Sequence, residues 1–482
     1  MVRSTPQPLY KFRPSNSNLS ISHPQSTSYS KINHIAFVNR PLTDHHLNHS
    51  LSLLTTDNLG WISLWDLESK RIQLLWQPHP LSNISGGCLW AHQIASHNNL
   101  DTKFIQSESI KNSNRSLFIL SHGRDHRLVL SQLPPKPSIA LNRATIRPSI
   151  RSPSSDVKIL TESPTNALSF CKPTCLSIHP HILLSVKQDQ TFDSILAAPS
   201  SLNEELVDIF AIKTNPPQLT RIHKGLGQHQ ADSHTGSVMS LKLYSSPQVP
   251  DLIFLLVGYE SGQVSLFKQA AINLDRQSSW SQVGSFKNHS EPVLGVAIAI
   301  DPNDPMGGIG WSIGADSNIG RYCFSICKSK HSELDSNRVA DGSSDSCSEE
   351  YQVHLTSSKH ATSDPGRFDI SVRSDGKLMA IYSWGGKIWL FDTRIKPNQS
   401  TSSSIENSNS LIPVGLLPIQ TEDESQSGVL AFSPFPPDQS TIDDASLNQV
   451  EVNFDSLTQR ALLVASGYSN HVLAWEVFPE HT

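Results

Sequence analysis

Short apolar runs separated by polar turns recur along the chain, and the first repeat shows the pattern most clearly. Its apolar or alternating segments lie at 31–38, 51–55, 61–67 and 71–76. The turn Asp57-Asn58-Leu59-Gly60 precedes the third segment, and it is a turn signal because Asp and Asn hydrogen-bond their own backbone and Gly accepts a positive φ. The third segment contains the pair Trp65-Asp66. Four short strands in about 46 residues match one blade of a WD-repeat β-propeller.

Six more repeats of this kind follow, beginning near residues 85, 167, 237, 293, 368 and 428. The third repeat is the weakest, and its strands are predicted at 167–170, 182–186, 207–212 and 218–222. Seven repeats of about 43 residues account for roughly 300 residues. The sequence therefore predicts an all-β fold, a single seven-bladed WD-repeat β-propeller that spans 1–482.

The remaining residues form long polar segments rich in Ser, Asn, Asp or Pro, at 97–115, 134–165, 328–350, 395–410 and 436–450. Such segments bury too little apolar surface to offset the entropy of ordering, so they are predicted to be disordered insertions on the propeller surface. Segment 134–165 carries five basic and two acidic residues with two Ser-Pro pairs, at Ser152 and Ser163. Its function could be regulated by phosphorylation or could be nuclear import; the alternative is a solvated linker. Segment 331–350 is acidic, and is either a tether for a basic partner or a plain loop.

A propeller must close its ring. Leu9–Phe12, within a strand expected at about 8–13, precedes the first full repeat. The phase of the repeat predicts that this strand completes the last blade as its outer strand.

Composition narrows the class of protein. Charged residues make up 17% of the chain and the formal net charge is −5, which argues against a protein that grips nucleic-acid phosphates directly. The longest apolar run, 293–300, is far shorter than the roughly 20 residues of a membrane-spanning helix. The N-terminus lacks the apolar run of a signal peptide. Six cysteines in 482 residues fit a reducing compartment, so a cytosolic or nuclear protein is expected.

Several sets of residues suggest a buried, structural hydrogen-bond network rather than a catalytic or ligand-binding site. In this repeat, a His before the first strand, a Ser or Thr on the second, an Asp in the turn and a Trp on the third satisfy one another's polar atoms. The first repeat offers His23, Thr55 or Thr56, Asp57 and Trp65. Other repeats offer part of the set, namely His79, His234 and His289 before a strand and Asp125 and Asp316 in a turn, with Glu260, Gly385 and Ser469 replacing the turn Asp. A structural role is favoured for all of them.

Metal binding and catalysis have weak candidates. His45, His46 and His49 are spaced for an imidazole site, but a polar loop is the simpler interpretation. Cys171 with Cys175, and Cys323 with Cys327, lie four apart, which on a strand separates the sulfurs by about 13 Å, too far to share a zinc ion. Buried strand cysteines are therefore expected. No phosphate-binding loop, nucleophile elbow or HExxH motif occurs, so no catalytic, cofactor-binding or metal-binding residue is predicted, and no cofactor.

Four stretches resemble one family, that of ASTRA-associated protein 1 and its G-protein β-subunit-like relatives. They are residues 56–66 followed by Lys70-Arg71, residues 120–128 with the element His122-Gly123-Arg124-Asp125, residues 365–384 with Pro365-Gly366 and Ser383-Trp384, and residues 464–467 with 475–477. The chain departs from the family pattern at Leu130, where the second blade usually carries Trp, and at Gly385, where the sixth usually carries Asp.

The resemblance implies a non-enzymatic WD-repeat scaffold subunit of the ASTRA complex, which links chromatin remodelling to maturation of phosphatidylinositol-3-kinase-like kinases. It implies protein partners, namely the Tel2–Tti cochaperone group, the RuvB-like AAA ATPases and a large kinase-like scaffold protein. It also implies a nuclear protein, with the cytoplasm as a second compartment, and no membrane.

Two alternatives stay open. The first is a propeller that reads histone tails or other basic peptides at the channel mouth, using the turn carboxylates Asp57, Asp125, Glu260 and Asp316. The second is a propeller hydrolase with a metal or a nucleophile at the channel.

Overall fold

The computed structural model describes residues 10–12, 31–41, 49–67, 70–80, 87–94, 116–134, 156–167, 171–178, 192–227, 235–270, 280–301, 304–328, 351–362, 365–394, 411–418, 428–433, 462–466 and 472–477. Their regular structure is 28 β-strands, arranged as seven four-stranded antiparallel sheets. The predicted seven-bladed WD-repeat propeller is confirmed. No helix in this part of the chain has the length and apolar character needed to cross a membrane.

The first three blades follow one another along the chain. Blade one contains β2 (Ile32–Pro41), β3 (His49–Asp57), β4 (Ile62–Asp66) and β5 (Arg71–Trp76). Blade two contains β6 (Cys88–Ile94), β7 (Leu117–Gly123), β8 (Arg127–Leu133) and β9 (Lys158–Pro164). Blade three contains β10 (Thr174–Ser177), β11 (Ser194–Pro199), β12 (Val207–Thr214) and β13 (Pro217–Leu226).

The last four blades repeat the order. Blade four contains β14 (Val238–Ser246), β15 (Val249–Tyr259), β16 (Gln263–Ala270) and β17 (Ser281–Lys287). Blade five contains β18 (Gly295–Asp301), β19 (Asp304–Ile313), β20 (Asn318–Lys328) and β21 (Tyr351–Ala361). Blade six contains β22 (Arg367–Val372), β23 (Leu378–Ser383), β24 (Lys387–Asp392) and β25 (Ile412–Pro418). Blade seven contains β26 (Val429–Phe432), β27 (Leu462–Ser466), β28 (Val472–Glu476) and β1 (Tyr10–Phe12).

The apolar core is divided among the seven interfaces between neighbouring blades. Each apolar cluster of the described residues draws its side chains from two successive blades, and one joins blade seven to blade one. The second strand of a blade packs on both faces, so β7, β11, β23 and β27 are buried at every position. These strands read as continuous apolar runs for that reason. A blade therefore has no core of its own.

Both ends of the chain meet in the last blade. β1 pairs antiparallel with β28, with Tyr10 opposite Ala474 and Phe12 opposite Val472. The N-terminal strand thus occupies the outer position of blade seven and connects the two ends of the ring.

The third blade differs from the sequence prediction. Its first two strands are Thr174–Ser177 and Ser194–Pro199, not 167–170 and 182–186. The connection between them is long, so the repeat length gave the wrong phase. Residues 182–186 lie outside the described residues. The prediction was right for the third strand and for the start of the fourth, where Val207–Thr214 and Pro217–Leu226 are strands.

One predicted insertion contains a strand. Segment 134–165 includes β9, Lys158–Pro164, so the prediction of disorder is wrong there. β9 is an outer strand whose residues alternate between exposed and half-buried, so its sequence is nearly as polar as that of a linker. Ser163 lies in this strand, whereas Ser152 lies outside the described residues, as do 97–115, 329–350, 395–410 and 436–450.

The strands that flank the five predicted insertions have the flanking ends at one face of the propeller. Each insertion joins the first strand of a blade to the second, or the third to the fourth. Because neighbouring strands are antiparallel, all the strand ends flanking these segments lie at the same face, which we call the insertion face. The opposite face, which we call the turn face, carries the turns between second and third strands and the links between blades.

Removal of residues 1–14 should destabilise the propeller. β28 would lose three paired residues, at about 1 kcal/mol for each backbone hydrogen bond, and would become an open edge. We expect a lower melting temperature by differential scanning fluorimetry. Deletion of an equally long piece within 436–450, which supplies no strand to the described fold, is the matched control and should leave the melting temperature unchanged. Equal stability of the two deletions would show that β1 does not hold the ring.

Trp65→Ala should unfold much of the protein. The indole is 2% exposed and packs in the cluster between blades seven and one, so its truncation should cost about 3–5 kcal/mol of the free energy of unfolding. Trp65→Phe keeps most of the apolar volume and should cost much less. Denaturant titrations of both variants test this expectation, and equal losses would mean that volume is not what Trp65 supplies.

Candidate functional site

A buried network ties the link before blade two to that blade's turn. His79 is fully buried, with Nδ1 2.9 Å from Asp125 Oδ1 and Nε2 2.9 Å from Ser121 Oγ. Gly123 leaves the space that the imidazole fills, because an added Cβ would lie 2.3 Å from His79 Nδ1. The Arg127 guanidinium donates to Asp125 Oδ2 at 2.7 Å. The predicted grouping of His79 with Asp125 is confirmed, and its role is structural.

Blade five repeats the network with a different aromatic partner. His289 Nδ1 lies 2.9 Å from Asp316 Oδ1, and His289 Nε2 lies 2.7 Å from Ser312 Oγ. Tyr322 OH lies 3.0 Å from the same hydroxyl, ten residues along the chain, and Trp65 lies ten residues after Thr55 in blade one. The sequence analysis predicted Trp at this position and did not identify Tyr322, although the same ten-residue spacing from the hydroxyl residue marks it.

Blade one contains a smaller version of this hydrogen-bond network. Trp65 Nε1 donates to Thr55 Oγ1 at 3.0 Å. Asp57 Oδ1 accepts the backbone N–H groups of Leu59 and Trp61, each at 2.9 Å, and so closes the predicted turn. His23, His234 and Ser469, which the sequence assigned to such networks, lie outside the described residues.

The turn carboxylates are all engaged within the fold. Burial alone would raise the pKa of Asp125 and of Asp316. Hydrogen bonds from His79 and Arg127 to Asp125, and from His289 and two backbone N–H groups to Asp316, together hold both pKa values below the usual range. Glu260 Oε2 accepts the backbone N–H of Ser237 at 3.1 Å. The interpretation of these groups as turn residues is confirmed, and they offer little free charge to a basic peptide.

The two departures from the family pattern are accommodated locally. The expectation for Leu130 is wrong by one residue, because strand pairing places Ser131, and not Leu130, at the position equivalent to Trp65. Leu130 and Ser131 are both fully buried, and Ser121 donates to the Val129 carbonyl at 3.3 Å. Gly385 faces open space, with nothing within 4 Å of an added Cβ. The sixth blade therefore lacks a turn carboxylate for reasons of sequence and not of crowding.

The metal candidates gain no support. Within the described ranges, no group of three His, Cys, Asp or Glu side chains is placed to hold a metal ion. His45 and His46 lie outside those ranges, and His49 begins β3. Buried strand cysteines were expected; Cys175 and Cys323 lie on strands and are half-buried, but Cys171 is buried ahead of β10 and Cys327 is exposed on β20.

Polar side chains line the central channel, which the first strands of the blades surround. A β-bulge opens the first strand of blade one before His34 and that of blade six before Asp369, so these two residues hold equivalent positions. His92 on β6 and Lys242 on β14 lie two residues beyond the equivalent position of their own strands. The sequence analysis did not predict these four channel residues. Each is a polar residue within an otherwise apolar first strand, and that pattern could have indicated them.

An ion pair crosses the channel. Lys172 precedes the first strand of blade three, and its Nζ lies 3.9 Å from Asp369 Oδ2 on blade six, three blades further around the ring. Asp369 is fixed in place, because its Oδ2 also accepts the Leu430 backbone N–H at 2.9 Å. Asp369 therefore presents a positioned carboxylate to the channel.

Among the channel residues that the structure describes, positive charge exceeds negative charge. Solvent reaches the Lys242 side chain, yet the surrounding protein desolvates its ammonium group and lowers its pKa, against the opposing effect of Asp369. Desolvation holds the pKa of His34 well below its usual value, and Lys172 lowers it further, while burial and Lys242 lower the pKa of His92 to about 4. Both imidazoles are neutral at pH 7. Two ammonium groups therefore face one carboxylate.

Acidification should destabilise the protein well above the range in which carboxylates titrate. Burial lowers the pKa of His122 to about 3 and that of His92 to about 4, against 6.5 for an ordinary His. As the pH falls, the unfolded chain binds these protons before the folded protein does. The free energy of unfolding is therefore highest above pH 6.5 and falls toward pH 4, by up to about 1.4 kcal/mol per pH unit for each group. Denaturant titrations across this range measure the slope.

His122→Leu should flatten that slope by about the share of one group, whereas His354→Leu, at an exposed position on β21, should leave it unchanged. A slope that His122→Leu does not alter would mean that His122 is protonated in the folded protein.

Comparison with known proteins finds relatives by sequence. No protein-family model matches the chain. The chain is 24% identical over 363 residues to ASTRA-associated protein 1 of Penicillium rubens, covering 72% of each protein. It is 26% identical over 352 residues to ASTRA-associated protein 1 of Schizosaccharomyces pombe, covering 70% of this chain and 79% of that protein.

Two solved structures are similar in outline. Raptor of Chaetomium thermophilum has a TM-score of 0.46 at 9% identity, over 93% of this chain and 28% of that one. The β-propeller domain of Myceliophteria thermophila Cps50 (Swd1) has a TM-score of 0.45 at 12% identity, over 92% and 99%. The resemblance seen in the sequence is confirmed by the curated relatives, and the chain is a seven-bladed WD-repeat propeller similar to the ASTRA-associated protein 1 family along most of its length.

Proposed function

We propose that this chain is a non-enzymatic WD-repeat scaffold subunit of the ASTRA complex. The observation that carries the proposal is the similarity to proteins named ASTRA-associated protein 1, which extends over about 70% of the chain in several fungi. The function that follows is docking of protein partners, in a complex linked to chromatin remodelling and to cochaperone-assisted maturation of phosphatidylinositol-3-kinase-like kinases. The partners we propose are the Tel2–Tti cochaperone group, the RuvB-like AAA ATPases and the kinase-family scaffold protein, in the nucleus and also in the cytoplasm.

The architecture supports a scaffold. Seven inter-blade cores make a rigid ring that offers two faces and a rim, so several partners have room to bind at once. The His, Ser and Asp groups that might suggest hydrolysis are occupied in the two buried networks, around His79 and His289. Their hydrogen bonds hold turns to links, which is a structural task.

Reading of lysine-rich histone tails is less well supported. A reader of basic peptides needs free carboxylates at the channel mouth. The turn carboxylates serve the fold, and the channel holds Lys172 and Lys242 against Asp369. The sign of the charge disfavours that partner.

Affinity purification from the native cells should recover the proposed partners. The tag is joined through a flexible linker, because β1 and β28 near the two ends of the chain pair with each other in blade seven. Mass spectrometry should find the cochaperone group, the AAA ATPases and the kinase-family scaffold above the level seen with a tagged, unrelated propeller, and microscopy should place the protein in the nucleus. Recovery of histones alone, or of nothing above that control, would refute the proposal.

A further inference from the structure

One turn at the turn face is longer than the others and carries an exposed leucine. In blade three, seven residues, 200–206, join β11 to β12, whereas the corresponding turns of blades one, two, four, five and six have three or four. Residues 201–204 are exposed. Leu202, at 73% exposure, is the most exposed large apolar residue in the part of the chain that the structure describes. We call residues 200–206 the Leu202 loop.

Hydrogen bonds within the Leu202 loop fix its shape. The Ser200 N–H donates to the Leu206 carbonyl at 2.8 Å, and the Leu206 N–H donates to the Asn203 carbonyl at 3.1 Å. Ser200 Oγ accepts the Leu202 N–H at 3.2 Å, and Asn203 Oδ1 accepts the Glu205 N–H at 2.9 Å. The loop itself therefore holds the backbone on both sides of the leucine.

The neighbouring parts of the propeller hold the loop as well. Asn166, in the link before blade three, donates from Nδ2 to the Ser200 carbonyl at 2.8 Å. The Val238 N–H, at the start of blade four, donates to the Glu204 carbonyl at 2.8 Å. A loop that is ordered in this way before binding loses less conformational entropy when a partner binds it.

The carboxylates next to Leu202 are not neutralised by the rest of the described structure. Glu204 is exposed and Glu205 is half-buried. No hydrogen bond or ion pair with a described residue engages either carboxylate, and the exposed Lys224 near the turn-face end of β13 pairs with neither. Glu260, in the turn of blade four, is exposed and adds charge of the same sign. The leucine is therefore flanked by negative charge.

Single exposed apolar side chains are ordinary on protein surfaces and need no explanation. Leu202 differs because it lies on a long loop whose conformation is fixed from within and from both sides. A fixed apolar side chain that fills a pocket can supply much of the energy of an interface, and charges around it select the partner. The Leu202 loop has both features.

We propose that the Leu202 loop docks into an apolar pocket of a partner protein, and that Lys or Arg side chains at the rim of this pocket face Glu204 and Glu205. A flexible lysine-rich tail does not fit, because it offers no pocket to the leucine. The proposal goes beyond the scaffold function, since it names the docking surface and the chemistry of the partner. It does not depend on which complex the protein joins.

Photo-cross-linking in the native cells tests the proposal. One full-length chain carries p-benzoylphenylalanine in place of Leu202, and a matched chain carries it in place of Ile159, which is 52% exposed on the outer strand β9. We expect position 202 to cross-link a partner at least about fivefold more than position 159, because a partner encloses an anchoring side chain. Mass spectrometry should place the cross-link in an apolar surface that also carries Lys or Arg.

Variants then measure how much each group contributes to binding of the purified, cross-linked partner. Leu202→Ser should weaken the affinity about tenfold. The double change Glu204→Gln and Glu205→Gln should weaken it about threefold and reduce its dependence on salt. Ile159→Ser is the control and should leave the affinity unchanged. All the variants should keep the wild-type melting temperature, because the changed side chains are exposed or half-buried, so lost binding is not lost folding.

Several outcomes would overturn the proposal. Equal cross-linking at positions 202 and 159, or an unchanged affinity of Leu202→Ser, would show that the leucine anchors nothing. A cross-link to an acidic or wholly polar surface would refute the proposed chemistry, and a cross-link to a second copy of this chain would make the loop a self-association contact. A partner outside the ASTRA complex would count against the scaffold assignment alone, whereas recovery of the ASTRA partners without a cross-link at position 202 would count against the docking site alone.

Discussion

The fold depends on closure of the ring. Every apolar cluster lies between two blades, so a blade removed from its neighbours would expose both faces of its second strand. The cluster that joins Trp65 and Leu53 to Val464 and Ala474 is the interface at which the chain returns to its start. β1 completes blade seven from the other end of the chain, and so the stability of every interface is coupled to this pairing.

The polar interior follows from the same constraint. Links between blades must reach from an outer strand to the channel, and their backbone is buried on the way. His79 and His289 fasten two such links to neighbouring turns through Asp125 and Asp316. The carboxylates Asp125 and Asp316 therefore serve the fold.

The insertion face and the turn face of the propeller differ in the connections that the chain makes there. The strand ends that flank the five predicted insertions lie at the insertion face, whereas the described part of the turn face contains tight turns such as that closed by Asp57. At the turn face, direct hydrogen bonds around Asn58 hold the backbone of Lys31 in place.

The sequence by itself determined the number of blades, the phase of most strands and the partners His79 with Asp125 and His289 with Asp316, because these rest on local spacing and turn chemistry. It misplaced the first strands of blade three and overlooked β9, since insertions and half-exposed outer strands carry no periodic signal. Only the tertiary structure brought Lys172 to Asp369. Those residues lie on different blades, and the curvature of the closed ring, which no local pattern encodes, decides which side chains share the channel.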